Sequence, residues 1–247
     1  MNATLQKIAD ELFHLGAFKD KSQSPDGRGF RLKLHEKQPD APLSPFYLNL
    51  RTPENPKPGP LTSEIVTTIG RAFYQRVKQE GIYYHRVAGV PRAGDPLAEA
   101  FVLAEAEDSG RPRENPIMLG KEDGAEARHV TRIVAGNVQR DDTVILVDDL
   151  ITQADSKIEA IEVLTAADLV VKDVLVLVDR QQGGRQQLDE RDIQLFALFT
   201  ITELLDYYAE AGHIPATTRD DIMAYLGLKK DELPAAPLRE DIAHGSM

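Results

Sequence analysis

The first apolar positions of the chain recur with the spacing of one helical face, and Gly16 follows where such a helix would end. The residues with this spacing are Leu5, Ile8, Ala9, Leu12 and Phe13. A second helix is predicted to begin at Ser63, a residue type that suits an N-cap. Its buried face would contain Val66, Ile69, Phe73 and Val77. The pattern therefore predicts two amphipathic helices in the first third of the chain.

The segment between these helices, residues 20–60, is rich in Pro, Gly, Ser and charged residues. Within it, residues 30–34 and 46–50 alternate apolar with other side chains, as half-buried strands do. We therefore expect short strands there, beside the first helix.

From residue 86 onward, short apolar runs alternate with helical patterns. Strands are predicted at residues 86–90, 116–119, 144–147, 174–178 and 194–199, and helices at 96–106, 157–167, from about 202, and from about 218 to Gly227. The runs at 144–147 and 174–178 are continuously apolar and too short for helices, which favours strands buried on both faces of a parallel sheet. The sequence thus predicts an α/β fold whose last twenty residues form a tail.

The composition narrows the chemistry that this fold can carry. The 247 residues include no cysteine, which excludes disulfides, cysteine-ligated metals and thiol nucleophiles. With 29 Lys plus Arg against 40 Asp plus Glu, the net charge of −11 argues against a broad nucleic-acid or anionic-membrane surface. The N-terminus does not have the pattern of a signal peptide, and no apolar stretch approaches the roughly 20 residues of a membrane span. We therefore expect a soluble, cytoplasmic protein.

The stretch 144–157 is the most informative one for function. Its apolar run ends in Asp148 and Asp149, and Ser156 with Glu159 predicts a capping box at the start of the next helix. Ligands of parallel sheets collect at the carboxyl ends of strands, where a helix N-terminus offers amides to a phosphate. Two carboxylates beside such amides suit a sugar phosphate. The alternative is that both aspartates only end a strand and begin a turn.

Residues 144–152 are four apolar residues, two aspartates, two apolar residues and Thr152. This order resembles the phosphoribosyl pyrophosphate motif of type I phosphoribosyltransferases. Further segments, in this order, resemble the orotate phosphoribosyltransferase family: 15–19, 30–33, 44–51, 89–98 and 178–184. The resemblance spans roughly residues 12 to 226. It implies the type I phosphoribosyltransferase fold, a central, mostly parallel sheet flanked by helices. It also implies a small N-terminal hood of helix and strands at residues 1–62, a core at 63–228 and a tail at 229–247.

The resemblance also implies an activity and a set of site residues. A member would join orotate to ribose 5-phosphate and release pyrophosphate, with Mg²⁺ carried by the substrate rather than by direct protein ligands, and it would be a homodimer. The implied catalytic residues are Asp148, Asp149, Lys121 and Lys33. The implied contacts to phosphoribosyl pyrophosphate are Val90, Pro91, Arg92, Arg128, His129, Thr152, Gln153, Ala154, Asp155 and Ser156, and the implied base contacts are Phe46, Tyr47 and Arg180.

The chain departs from the family pattern in two loops. In residues 120–129, Gly120 replaces the usual arginine and the second lysine is missing, so we hypothesise that Arg128 or His129 reaches the same phosphate oxygens. In the phosphate loop, Ala154 and Asp155 replace Gly and Ser or Thr, which brings a carboxylate to the helix N-terminus. These departures keep two alternatives open. One is a catalytically impaired or non-catalytic relative that binds a nucleotide or base as a regulator, and the other is a phosphoribosyltransferase for another base.

Overall fold

The computed structural model of the protein describes residues 1–32, 35, 39–123 and 128–228. Three expectations from the sequence lie outside this part of the chain: the role of Lys33, the tip of the loop at 124–127, and the tail at 229–247. Within the described residues, no helix is both long and apolar enough to cross a membrane.

The elements follow one another in a βα order after an N-terminal helix and two short strands. They are α1 (Ala3–His14), β1 (Phe18–Asp20), β2 (Phe46–Leu48), α2 (Ser63–Gln79), β3 (Arg86–Gly89), α3 (Asp95–Ser109), β4 (Met118–Asp123), β5 (Arg128–Ala135), β6 (Thr143–Ile151), α4 (Asp155–Ala166), β7 (Val170–Asp179), α5 (Gly184–Asp189), β8 (Gln194–Thr200), α6 (Ile201–Glu210) and α7 (Ala216–Leu226).

The central sheet is parallel and has the order β3-β6-β7-β8 in the described part of the chain. Ile117, just before β4, adds a parallel bridge to Ala88 on the outer side of β3. The chain thus leaves β3 toward one edge of the sheet and leaves β6 toward the other. This reversal between β3 and β6 is the switch point at which α/β sheets bind ligands.

Each face of the sheet carries its own hydrophobic cluster. Ile145 and Val147 of β6 point to a cluster shared with α1, α2, α3, α6 and α7. Val144 and Leu146 point to the opposite cluster, which includes apolar side chains of α4. Burial on both faces explains the continuously apolar runs, so the expected α/β fold with a helix-flanked parallel sheet is confirmed.

The predicted helices are present, with shifts at their ends. Helix α1 ends before Gly16, whose φ of +71° suits glycine. Helix α2 begins one residue earlier than expected, because the side chain of Thr62 and not of Ser63 caps it, by accepting from the Ile65 amide. Gly70 inside α2 allows close packing on α3, since a Cβ there would lie 2.4 Å from the carbonyl carbon of Ala100.

The strand predictions were wrong in two places. Of residues 30–34, Phe30 makes only an isolated bridge to Ser44, and Arg31 and Leu32 form no strand. The segment predicted as a loop at 120–129 is instead largely an antiparallel hairpin of β4 and β5. Its second strand contains Val130, Thr131, Ile133 and Val134, a run of β-branched residues that was an available strand signal.

Candidate active site

The loops after β3 and β6 lie side by side at the switch point. The Val90 amide, directly after β3, donates to the Val147 carbonyl of β6 at 2.9 Å. Gly94 closes the first loop so tightly that a Cβ there would lie 2.3 Å from the Val147 oxygen. The glycine of this loop is therefore required by the packing of two backbones against each other, whatever the loop binds.

Asp148 and Asp149 lie near the end of β6, which continues to Ile151 rather than ending at these residues as expected. They point to opposite faces, as consecutive strand residues do. Both are more than nine-tenths buried. Asp149 accepts a hydrogen bond at Oδ1 from the Leu150 amide, at 2.7 Å. Burial, strengthened by the neighbouring charge of Asp148, raises the pKa of Asp149 to about 7, although Lys157 and Arg51 act in the opposite direction. Asp149 therefore changes charge close to neutral pH.

Asp148 is paired with Lys157, a partner that the sequence did not predict. The ammonium group of Lys157, itself 4% exposed, forms an ion pair with Oδ2 of Asp148 and donates to the Leu150 carbonyl at 2.5 Å. The second oxygen of Asp148 accepts from the Asp149 amide at 2.9 Å. The structure thus directs the ammonium group of Lys157 inward, toward Asp148 and Leu150.

The phosphate loop, residues 152–156, leads from β6 into α4. Ala154 is the N-cap of α4 and is fully buried, and its amide donates to Oε1 of Gln187 on α5 at 2.7 Å. The predicted capping box of Ser156 and Glu159 is wrong, because α4 begins at Asp155 and its N-cap makes no side-chain hydrogen bond. Asp155 is exposed in the first helical turn. The loop thus combines a carboxylate at its surface with one amide already satisfied internally.

The loops after β3 and β6 border a crevice at the switch point of the sheet. The hairpin of β4 and β5 approaches this crevice from outside the sheet. Lys121 lies half-buried on β4, and its Nζ donates to the Pro91 carbonyl at 3.4 Å. His129 pairs instead with Glu159 of α4, Nδ1 to Oε1 at 2.8 Å, while the Val130 amide donates to the other oxygen of Glu159. The structure therefore brings Lys121 to the loop after β3 and places His129 against α4. Arg128 occupies the backbone position opposite Asp123.

Asp95, at the start of α3, is a carboxylate that the sequence reading missed. Burial raises its pKa to about 6; Arg92 opposes this rise, and the charge of Asp148 adds to it. Its Oδ1 is buried without a hydrogen-bond partner in the described part of the chain. Arg92 itself is exposed at the mouth of the crevice. Asp148 therefore lies close enough to influence both Asp95 and Asp149 electrostatically, near the ends of β3 and β6.

The base-binding residues expected from the sequence divide between two places. Phe46 is fully buried, stacks on Phe18 with ring centroids 6.2 Å apart, and lies 4.8 Å from the guanidinium carbon of Arg180. Tyr47, the next residue on β2, stacks instead on Phe30 at 5.7 Å. The structure therefore brings Phe46 and Arg180 together and leaves Tyr47 in another contact.

Arg180 is a buried cation without a protein counter-charge in the described residues. It is 9% exposed, its Nε has no hydrogen-bond partner there, and burial lowers its pKa. The neighbouring Asp179 is already engaged by Arg185 and by the Gln181 amide. A buried, unpaired guanidinium favours a planar anionic ligand, which would supply the missing acceptors.

The described residues contain no group of three or more His, Asp or Glu side chains arranged to hold a metal ion.

Replacing Gly94 by alanine is expected to destabilise the protein by about 1–3 kcal/mol. The added methyl group must displace the backbone of Val147 or Val90, and such overpacking is costly in a tight core. Thermal melts would measure the loss of stability. Gly212→Ala is the control for a glycine replacement in open space, although its φ of +74° makes some strain unavoidable. A Gly94→Ala protein as stable as the wild type would contradict the packing argument.

No family model matches the chain. The orotate phosphoribosyltransferase of Methanosarcina acetivorans is 32% identical over 162 residues, which cover 66% of this chain and 78% of that protein. The uridine 5'-monophosphate synthase of Caenorhabditis elegans is 27% identical over 172 residues, or 70% of this chain and 32% of the synthase. This chain thus spans about a third of the length of that relative.

A solved structure agrees with the fold. The orotate phosphoribosyltransferase of Francisella tularensis superposes with a TM-score of 0.63, covering 91% of this chain and 94% of that one. Its sequence identity is 17%, so the likeness concerns the fold alone.

Proposed function

The chain belongs to the orotate phosphoribosyltransferase family, and on this premise we propose that it transfers ribose 5-phosphate from phosphoribosyl pyrophosphate to orotate. The products would be orotidine monophosphate and pyrophosphate. One observation carries this proposal. The motif at 148–156 lies at the carboxyl end of β6, directly beside the loop at 90–94, at the switch point of the sheet.

The chemistry of the crevice supports a transfer through a positively charged sugar. As the bond from the anomeric carbon to pyrophosphate breaks, positive charge develops on the sugar and negative charge on the leaving group. Asp149 would stabilise the sugar, while Lys121 and Arg92 would attract pyrophosphate beside the loop at 90–92. Free backbone amides of residues 152–156 would bind the 5-phosphate. Mg²⁺ would be carried by the donor substrate rather than by direct protein ligands, and it would help to balance the charge of pyrophosphate.

The base would lie near Arg180, on the side of the sheet covered by β2. Orotate is a planar anion, and it would supply the acceptors that this buried guanidinium does not find in the described residues. A neutral purine base would leave the cation uncompensated. Lys33, outside the described residues, stays a further proposed contact for pyrophosphate and base. We also propose, on the family resemblance, that the protein is cytoplasmic and forms a homodimer.

The proposal is tested by mixing the purified protein with phosphoribosyl pyrophosphate, Mg²⁺ and one base at a time, and measuring pyrophosphate release. We expect release with orotate and much slower release with adenine or hypoxanthine. Equal rates with a purine would favour a phosphoribosyltransferase for another base.

A second function, a regulator that binds a nucleotide without turnover, is favoured by the phosphate loop. One of its amides is bound by Gln187 and its surface carries the carboxylate of Asp155, both of which weaken anion binding. Calorimetric titration separates the two functions. Binding of the donor supports the enzyme, whereas binding of orotidine monophosphate without any turnover supports the regulator.

Replacing Gln187 by methionine is expected to lower the KM for phosphoribosyl pyrophosphate about 3- to 10-fold. The Ala154 amide would then have no internal acceptor, and a phosphate oxygen could accept from it without displacing the glutamine. Steady-state kinetics at varied donor concentration would measure the change. The matched control is Gln186→Met on the same helix, where the side chain is exposed and bonds to Glu190. An unchanged or higher KM in Gln187→Met would show that this amide does not meet the donor.

A further inference from the structure

The ion pair of Lys157 and Asp148 is almost completely buried. Each residue is 4% exposed, and the ammonium group contacts both the Asp148 carboxylate and the Leu150 carbonyl. A buried ammonium group is costly unless a counter-charge and acceptors compensate it. The two residues are therefore fixed in one arrangement, which spans from the end of β6 to the first turn of α4.

In this arrangement, both carboxylate oxygens of Asp148 interact with other groups of the protein. Oδ2 faces Lys157, and Oδ1 accepts from the Asp149 amide. Asp149 differs, because only its Oδ1 accepts a hydrogen bond within the described residues. The twin carboxylates of the motif are thus not equivalent. One is neutralised and locked, and the other keeps an oxygen for an incoming hydroxyl group.

The charges around Asp149 come from three elements. Asp148 precedes it on β6, Lys157 faces from α4, and Arg51 faces from the segment after β2. Asp148 disfavours the ionised form of Asp149, whereas Lys157 and Arg51 favour it. Lys157 therefore acts on Asp149 in two ways, directly by its own charge and indirectly by balancing Asp148.

We propose that Lys157 is a positioning residue, which locks and neutralises Asp148 so that Asp149 alone accepts hydrogen bonds from the ribose hydroxyl groups of the donor. The assignment rests on the proposed function, because it takes the ribose of phosphoribosyl pyrophosphate as the ligand. The division of labour follows from the alternation of strand residues, since α4 lies on the face toward which Asp148 points.

The first test needs no turnover. A ¹³C NMR titration of the full chain follows the side-chain carboxyl resonance of Asp149 in the wild type, Lys157→Met, Asp148→Asn and the double variant. From highest to lowest midpoint, we expect the order Lys157→Met, wild type, double variant, Asp148→Asn, with Lys157→Met about one pH unit or more above the wild type. A midpoint in Lys157→Met equal to that of the wild type would overturn the proposal.

The design stays decisive if Lys157→Met fails to fold. The double variant and Asp148→Asn carry no buried carboxylate at position 148 and differ only at position 157. A lower midpoint in Asp148→Asn than in the double variant supports an action of Lys157 on Asp149. Equal midpoints in these two proteins would overturn it.

The second test measures whether replacing Asp148 as well restores the turnover that Lys157→Met loses. The kcat/KM for the donor is expected to be about tenfold or more higher in the double variant than in Lys157→Met, because removing both charges avoids an unpaired carboxylate beside Asp149. A double variant no more active than Lys157→Met would overturn the proposal, since Asp148 would then act on the donor itself. If the wild type shows no turnover, the proposed function fails, and the NMR order still decides the role of Lys157.

Discussion

Replacing Asp149 by asparagine is expected to lower kcat by about 100-fold or more. At pH values above 7, the same replacement is expected to raise the melting temperature. The carboxylate would stabilise positive charge on the sugar, and removing one group aimed at a developing charge typically costs this much. Stability changes in the opposite direction because Asp149 is buried and its charged form is poorly solvated. Turnover assays and thermal melts on the same preparations would measure both effects.

The pH dependence of this stability effect has a definite sign. The pKa of Asp149 is raised from an ordinary 3.8 to about 7 in the folded protein. Below pH 3.8 the carboxyl group is protonated in both states and has no effect. Between pH 4 and 7 the unfolded chain releases a proton that the folded protein retains, so the wild type loses stability as the pH rises. The advantage of Asp149→Asn should therefore grow through this range and level off above pH 7.

The wild-type turnover should rise with pH through about 7, as Asp149 ionises. The control is Asp189→Asn, an exposed carboxylate on α5, which should alter neither turnover nor the pH dependence of melting. Normal turnover in Asp149→Asn would remove Asp149 from the reaction.

Replacing Arg180 by methionine is expected to raise the KM for orotate about 100-fold without lowering stability. A charge-assisted contact to a buried guanidinium contributes a few kcal/mol, which corresponds to roughly this factor. The folded protein gains from losing a buried cation that has no counter-charge in the described residues. Steady-state kinetics at varied orotate concentration, together with thermal melts, would measure the two changes.

Two comparisons sharpen the Arg180 experiment. Arg71→Met removes an arginine on α2 that is paired with Glu107 at the surface, and it should leave the KM for orotate unchanged. Uracil is orotate without its carboxylate, so the preference of the wild type for orotate over uracil should shrink in Arg180→Met if the guanidinium meets that carboxylate. A KM for orotate within about twofold of the wild type would contradict the assignment.

The fold could be predicted from the sequence where a local pattern is compatible with only one kind of packed element. The continuous apolar runs of β6 and β7 indicated strands covered on both faces, because such short runs cannot form helices of ordinary length. The alternation at residues 30–34 was ambiguous, since the same pattern fits an extended segment with only one bridge. The hairpin of β4 and β5 was missed because its exposed faces give a weak alternation.

The place of the candidate site in the backbone could also be predicted from the sequence, since the apolar run before Asp148 and Asp149 indicated a strand, although that strand continues to Ile151. The partners of these residues were not. A lysine in the first turn of a helix usually lies in solvent, and only the packing of α4 on β6 buries Lys157 against Asp148. Gln187 reaches Ala154 from 33 residues away, and Glu159 turns from the expected capping box to His129. Such contacts depend on tertiary packing, which local residue patterns do not contain.

The proposed roles of Arg128, Gln153, Ser156 and Tyr47 stay predictions that ligand binding must decide. Phe46 and Arg180 are adjacent in the structure, which strengthens the prediction for the base site without testing it. The acidic character of the chain extends to the site, where Asp95, Asp148 and Asp149 lie among few cations. Activity therefore depends on how Lys157, Lys121, Arg92 and Arg51 balance these carboxylates.

The most direct measurement of the central claim is the formation of orotidine monophosphate by the purified full chain with orotate, phosphoribosyl pyrophosphate and Mg²⁺, each at saturating concentration. We expect orotidine monophosphate and pyrophosphate in equal amounts, at a rate proportional to protein concentration and reduced about 100-fold or more in Asp149→Asn. No orotidine monophosphate from folded wild-type protein, or an equal rate from Asp149→Asn, would contradict the account.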